Sequence, residues 1–240
     1  MYLAQSLNYQ MGCGLVPLKT TLVLAMTADG KISDVQKSPA TFGSSRDSAH
    51  LEEQMALADV ILVGSGTLND GGEAVLVTNP DLVQARIIRG QTPQPTQIIC
   101  SRTGKIDGEL GFFAQPITRW LLTTKAGATD WLDLRKFDRV LICETAAGDI
   151  DWDLVSVQLI ELGIETICFL GGSALAASLF AVDFIDELWL TICPVIYGGV
   201  DAPSAVSGIG FTPESAPRLK LLSVDRIEQE IFLHYQVIKT

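Results

Sequence analysis

ETICFLGGSALAASLF, residues 165–180, sets a short apolar run against two glycines and a run of small helix-forming residues. The pattern predicts a buried strand over 165–170 and a helix over Ser173–Phe180. Gly171 and Gly172 between them let a ligand approach the backbone. The first helical amides and the positive end of the helix dipole then face an anion, and Ser173 can donate to it or cap the helix. This is phosphate-cradle architecture, though not the Rossmann GxGxxG spacing. Ala174, Ala176 and Ala177 also suit close packing of the helix on its strand, and the two readings are compatible.

Working outward, the same strand grammar recurs at 20–26 (TTLVLAM), 59–64 (DVILVG), 96–101 (TQIICS), 119–124 (RWLLTT), 139–143 (RVLIC) and 186–195 (DELWLTICPV). KLLSVDRI and EIFLHYQVI flank Glu228–Gln229 and read as a closing antiparallel hairpin. Helices are expected over Ser44–Leu57, Pro80–Arg89 behind Asn79, and Trp152–Leu162. Alternating strand and helix predict an α/β fold in three layers, with helices on both faces of a mostly parallel, mixed sheet. The segments 90–97 and 198–217 read as ordered loops, the second anchored by Val206, Ile209 and Phe211. One domain over 18–240 follows, preceded by an extension over 1–17. DELWLTICPV is the expected interface contributor, as an apolar strand at a sheet edge.

Hydrophobic residues make up 48% of the 240 and charged residues 19%, which excludes a disordered chain. The formal charge of −11 argues against a nucleic-acid partner while leaving room for a small phosphorylated ligand held by backbone amides. No run is long and apolar enough to span a membrane, and the first residues lack a secretory pattern, so a cytoplasmic protein is expected. Cys13, Cys100, Cys143, Cys168 and Cys193 lack CxxC spacing and read as buried reduced thiols. His50 and His234 are too few for a metal cluster.

Three further segments could carry chemistry. VGSGTLNDGG, residues 63–72, leaves a buried strand where α/β sheets bind ligands. Gly64 and Gly66 open the backbone there, Ser65 and Thr67 add hydroxyls, and Asp70 offers a carboxylate for a ribose or an amide. Ser101, Arg102, Thr103 and Lys105 gather hydroxyls and cations at another strand end, a set able to grip a phosphate or simply to solvate a turn. In LAMTADGKIS, residues 24–33, Ala25 and Met26 would line the strand-end cleft. Asp29-Gly30 makes a tight turn whose carboxylate can touch substrate or satisfy the turn, and Lys31 reads as a surface cation.

In this order, LAMTADGKIS, ADVILVGSGTLNDGG, QIICSRTGKID, ICFLGGSALAASLF, FIDELWLTICPVIYGGVDAPSAVSGIGF and the closing strands resemble the pyrimidine reductases of riboflavin biosynthesis, over about residues 18–239. The resemblance implies a dihydrofolate-reductase-like fold and a homodimer. It also implies reduction by NADPH of the ribose of a ribosylaminopyrimidine 5′-phosphate, with hydride delivered to C1′ of an open imine form. No deaminase segment is visible, so the likeness is to the free-standing reductases. Carried over by position, it implies cofactor contacts at Ala25 or Met26, Gly64, Gly66, Thr67, Asp70, Ser101, Arg102, Gly171, Gly172, Ser173, Ala174 and Leu175. On the substrate side it points to Arg46 and Leu170. Independently of the resemblance, Asp29 is the candidate catalytic carboxylate because it should lie near the strand-end cleft, with water able to do the same work.

The substrate side departs from the family pattern. Leu170 stands where an acidic residue usually precedes the double glycine, and Gly71-Gly72 replaces an Asp-Pro. The helix that usually carries arginines for the substrate phosphate offers Glu52, Glu53 and Met55, with Arg46 its one basic residue. The alternative is therefore a dinucleotide-binding fold relative with a different or lost substrate.

Overall fold

The computed structural model describes residues 18–38 and 41–239, so Cys13 and the 1–17 extension lie outside the described residues. The strands are β1 (Lys19–Thr27), β2 (Val60–Gly64), β3 (Thr96–Ser101), β4 (Arg119–Thr123), β5 (Arg139–Ile142), β6 (Thr166–Leu170), β7 (Glu187–Cys193), β8 (Arg218–Ile227) and β9 (Glu230–Ile238). The helices are α1 (Ser45–Leu57), α2 (Ser65–Gly71), α3 (Pro80–Ile88), α4 (Lys125–Leu134), α5 (Trp152–Glu161) and α6 (Ser173–Phe180). All the strands join one sheet in the order β5-β4-β3-β2-β6-β1-β7-β9-β8. β1 to β7 run parallel, and β9 pairs antiparallel with both β7 and β8.

The apolar runs are long because the central strands are covered on both faces. Val60, Ile61 and Leu62 are all fully buried, though their side chains alternate between faces. On one face Leu22, Leu62 and Phe169 pack under Leu159 of α5 and Ala176 and Leu179 of α6. On the other, Val23, Ile61 and Leu170 meet Met55 and Ala56 of α1, with Leu82 and Val83 of α3 against them. Leu68 of α2 and Trp131 of α4 join Ile99 and Leu121 on that second face, beside the 3₁₀ turn Gly111–Ala114. Because α1 to α4 lie on one face and α5 and α6 on the other, the chain reverses its winding around β6. A ligand crevice opens above the strand ends at such a switch point.

The structure corrects several expectations. α2 and α4 occupy two stretches for which no helix was expected. Gly66 and Gly71 in α2 and Gly127 in α4 depress helix propensity, and both helices exist because Leu68 and Trp131 are buried. Val206, Ile209 and Phe211 do not anchor the 198–217 loop, since all three are exposed and Ile209 completely so. Buried Ala202 anchors it, with Ser207 N donating to Ser173 O at 3.2 Å and Ile32 N to Pro203 O at 2.9 Å. β7 is no edge strand, being paired with β1 and β9, and the apolar edge is β8. No helix among the described residues is long and apolar enough to cross a membrane.

Candidate active site

β2 and β6 are neighbours in the sheet, so the segments that leave their carboxyl ends meet. Gly171 and Gly172 both take left-handed backbone, at φ 61° and 84°. A side chain at Gly172 would be strained, and its Cβ would sit 3.1 Å from Thr67 Oγ1 and 3.6 Å from Leu175 Cβ. A Cβ at Gly64 would in turn lie 3.8 Å from Leu175 Cβ. Two glycine segments far apart in the chain thus form one pocket rim, with the N-terminus of α6 opening onto it. Gly172 is the residue capping α6, without any side-chain bond, so Ser173 is its first residue and not its cap. The amides at that end therefore remain available to an anion.

Asn69 binds α2 to the neighbouring turn, its Nδ2 donating to Lys105 O and its Oδ1 accepting from Asp107 N, both at 3.3 Å. That brings the Thr67–Asp70 segment beside the 101–105 segment. Ser101 is buried there, while Asp70 and Arg102 are exposed on the rim. Arg102 lies 3.6 Å from Asp149 on the surface, an arrangement a phosphate can displace at little cost. Arg46 is paired with Glu53 at 3.1 Å, and Leu170 is buried in one apolar cluster with Met55.

The far wall is built on the ends of β1 and β7, whose register sets Ala25 opposite Thr191 and Thr27 opposite Cys193. Asp29 accepts from Thr27 Oγ1 at 2.6 Å and from the amides of Tyr197 and Gly198 at 3.2 and 2.7 Å. Those donors, Thr27 foremost, hold its carboxyl below the usual aspartate value. Its oxygens are thereby taken up in tying the β1 turn to the loop after β7. Lys31 Nζ adds a bond to Ala202 O at 2.9 Å.

Sequence reasoning missed a second carboxyl on this wall. Asp47 lies in the first turn of α1, half-buried against β7, and accepts from the Thr191 hydroxyl. A Cβ at Gly43 would collide with its carboxyl, so glycine is what makes room for it. Burial raises the Asp47 carboxyl above its ordinary value and the nearby Glu230 charge adds to this, while the Thr191 bond opposes both. Glu230 is itself buried and accepts from Ser44 N and Ser44 Oγ at 2.8 and 2.5 Å. No sequence signal marks Asp47, because an acidic residue in a first helical turn is ordinary. Burial also pushes Cys100, Cys168 and Cys193 up to about 12 and Cys143 to about 11, which makes all four inert thiols.

The sequence model of the RibD C-terminal domain matches residues 19–233, and so takes in every one of these segments. The chain belongs to this family. Among its relatives is the 2,5-diamino-6-ribosylamino-4(3H)-pyrimidinone 5′-phosphate reductase of Methanothermobacter thermautotrophicus, 26% identical over 89% of this chain and 95% of the relative. The riboflavin biosynthesis protein RibD of Actinobacillus pleuropneumoniae is 27% identical over 89% of this chain, which spans only 55% of that protein. In fold, the chain is similar to a pyrimidine reductase-like protein from Corynebacterium diphtheriae, with TM-score 0.79, 18% identity and 93% of each chain covered. It is also similar to a dihydrofolate reductase from Enterococcus faecalis complexed with NADP(H), with TM-score 0.50, 11% identity, and 92% and 97% covered. The RibD C-terminal fold here is therefore dihydrofolate-reductase-like, and its curated relatives are reductases of riboflavin biosynthesis.

Proposed function

We propose that this chain is a cytoplasmic, NADPH-dependent reductase acting on the ribose of a ribosylaminopyrimidine 5′-phosphate, and that it works as a homodimer. The observation that carries the reading is the meeting of Gly172 with Thr67 at adjoining strand ends. The pocket rim there would be filled by any side chain at position 172. A dinucleotide fits this donor set: the α6 amides and Ser173 take the pyrophosphate, Gly64, Gly66 and Leu175 allow close approach, and Asp70 and Ser101 offer polar contacts. Ala174 lies exposed in the first turn of α6, and Arg102 supplies a cation for a further phosphate. When bound, the dinucleotide supplies a hydride from its reduced nicotinamide. Ala25 and Met26 set the floor against which the ring would lie, so the protein's main work is to orient donor and acceptor. Free, buried thiols suit a reducing compartment.

The test follows nicotinamide absorbance in one cuvette, with and without the ribosylaminopyrimidine 5′-phosphate. Saturable NADPH binding and substrate-dependent oxidation are expected. Gly172→Asp, which sets an anion and a strained backbone in the rim, should weaken NADPH binding at least about tenfold by electrostatics and sterics together. Unchanged affinity in that variant refutes the site.

A second reading has its own observation. Leu170 and Met55 pack in one buried apolar cluster beneath the substrate side of the cleft, and Arg46 is already paired. A dinucleotide-binding relative with a different substrate would bind NADPH and leave it unoxidised in the same cuvette.

A further inference from the structure

We propose that Asp47 is the proton donor of the reduction. The inference rests on the reductase reading and goes beyond it by naming the acid. As hydride adds to C1′ of the open imine, the C=N π pair moves to nitrogen and the Asp47 carboxyl proton joins it there. The products are the ribityl amine, the oxidised nicotinamide and an Asp47 carboxylate, which solvent reprotonates.

Three observations point to this residue. The β1–β7 register puts Thr191 directly beside Ala25, the floor of the proposed nicotinamide position, and the Thr191 hydroxyl holds the Asp47 carboxyl. The carboxyl is thus one side chain from the reacting carbon's expected place, against a wall that glycine at 43 leaves open for it. The ionisable groups facing it are the Glu230 carboxylate from β9 and the Cys193 thiol from β7, which burial keeps neutral, and the Thr191 hydroxyl is its neutral bonding partner. A partly buried acid beside a charged carboxylate keeps its proton at higher pH than a solvated one, as a general acid must. Asp29, by contrast, is engaged by three donors that favour its charged form.

A structural tether between α1 and β7 is the competing role, and the two separate cleanly. The folded protein favours protonated Asp47, so the stability this group confers is complete below the unfolded value of 3.8 and is lost as pH rises through the folded value. Asp47→Asn therefore should keep or raise Tm at pH 7, keep NADPH affinity within about twofold, and lower kcat by about 100-fold or more, the usual share of a general acid. The high-pH fall in the wild-type kcat profile should vanish in the variant. Thr191→Val, which removes the bond favouring the carboxylate, should move that fall to higher pH.

Carbon-13 NMR titration of aspartate carboxyls, assigned with Asp47→Asn, supplies a readout independent of turnover and should find the Asp47 resonance titrating above the ordinary value of 3.8. Turnover with an unchanged profile in Asp47→Asn, or an Asp47 carboxyl titrating at or below that value, overturns the proton donor and leaves the reductase standing. A wild-type protein that binds NADPH and never oxidises it with this substrate overturns the reductase reading and the proposal with it.

Discussion

Single residues here carry structural weight that their type does not announce. Arg86 is almost wholly buried in α3, and its guanidinium donates to Thr92 O at 2.9 Å, Ala56 O at 3.0 Å and Ala58 O at 2.6 Å. Arg89 adds a bond to Ala56 O at 2.6 Å, so two arginines satisfy the carbonyls with which α1 ends. Burial, and then the neighbouring Arg89 charge, lower Arg86's affinity for its proton, and Asp59 opposes them. Arg86→Met would leave buried carbonyls without donors and should cost about 2 kcal/mol, relief of the buried charge offsetting part of the loss. Urea denaturation checks this, and a loss below about 0.5 kcal/mol would mean that water or Arg89 replaces the guanidinium. An arginine in the helix DLVQARII reads from sequence as a solvated cation. Its burial depends on where α1 ends in space.

At the scale of elements, α1 is fixed at both ends by residues remote in sequence. Ser44 caps it by accepting from Arg46 N and Asp47 N at 3.1 and 3.2 Å, while its own amide and hydroxyl donate to Glu230 at the start of β9. The hairpin and the helix that carries Asp47 are therefore one mechanical unit. Ser44→Ala removes the cap and the hydroxyl donor on a buried carboxylate, and should destabilise the fold by about 1–2 kcal/mol, measured by denaturant unfolding. A loss no larger than at an exposed serine such as Ser48 would show that the Glu230 bond is dispensable. The same scale explains α4, where a Cβ on Gly127 would collide with Thr123 Oγ1 and lie 2.7 Å from Arg102 O. Glycine there lets the helix start press on the strand ends, which lowers its propensity and hides it from a sequence pattern.

At the scale of the whole molecule, the helices of the α6 face stop short of the last strands. Register places Ile192 of β7, Ile231 and Leu233 of β9, and Leu219, Leu221 and Val224 of β8 on that face, and Leu221 and Val224 are about half exposed. An apolar sheet face ending in an unpaired edge strand is where the proposed homodimer would form. Leu221→Lys should convert dimer to monomer in sedimentation with little change in unfolding free energy, whereas a wild-type monomer would refute the dimer. The alternation of apolar runs and capped helices was legible in the sequence because burial on both sheet faces demands it, and α6 has the bounds that its glycines and small residues predict. The double glycine was legible as a candidate because its left-handed backbone favours glycine, and the GxGT segment because it leaves the end of a buried strand. Their meeting was not legible, since Thr67 and Gly172 become neighbours only through the pairing of β2 with β6. So the sequence by itself determined the elements, the layer type and the segments able to face a phosphate, all consequences of local sterics and of where apolar side chains recur. Tertiary structure alone decided that Asp29 is occupied by the turn it stabilises, that Asp47 is half-buried against Thr191, and that β8 rather than β7 is the apolar edge. Burial and hydrogen-bond partners are properties of strand order and register, and no local pattern encodes them.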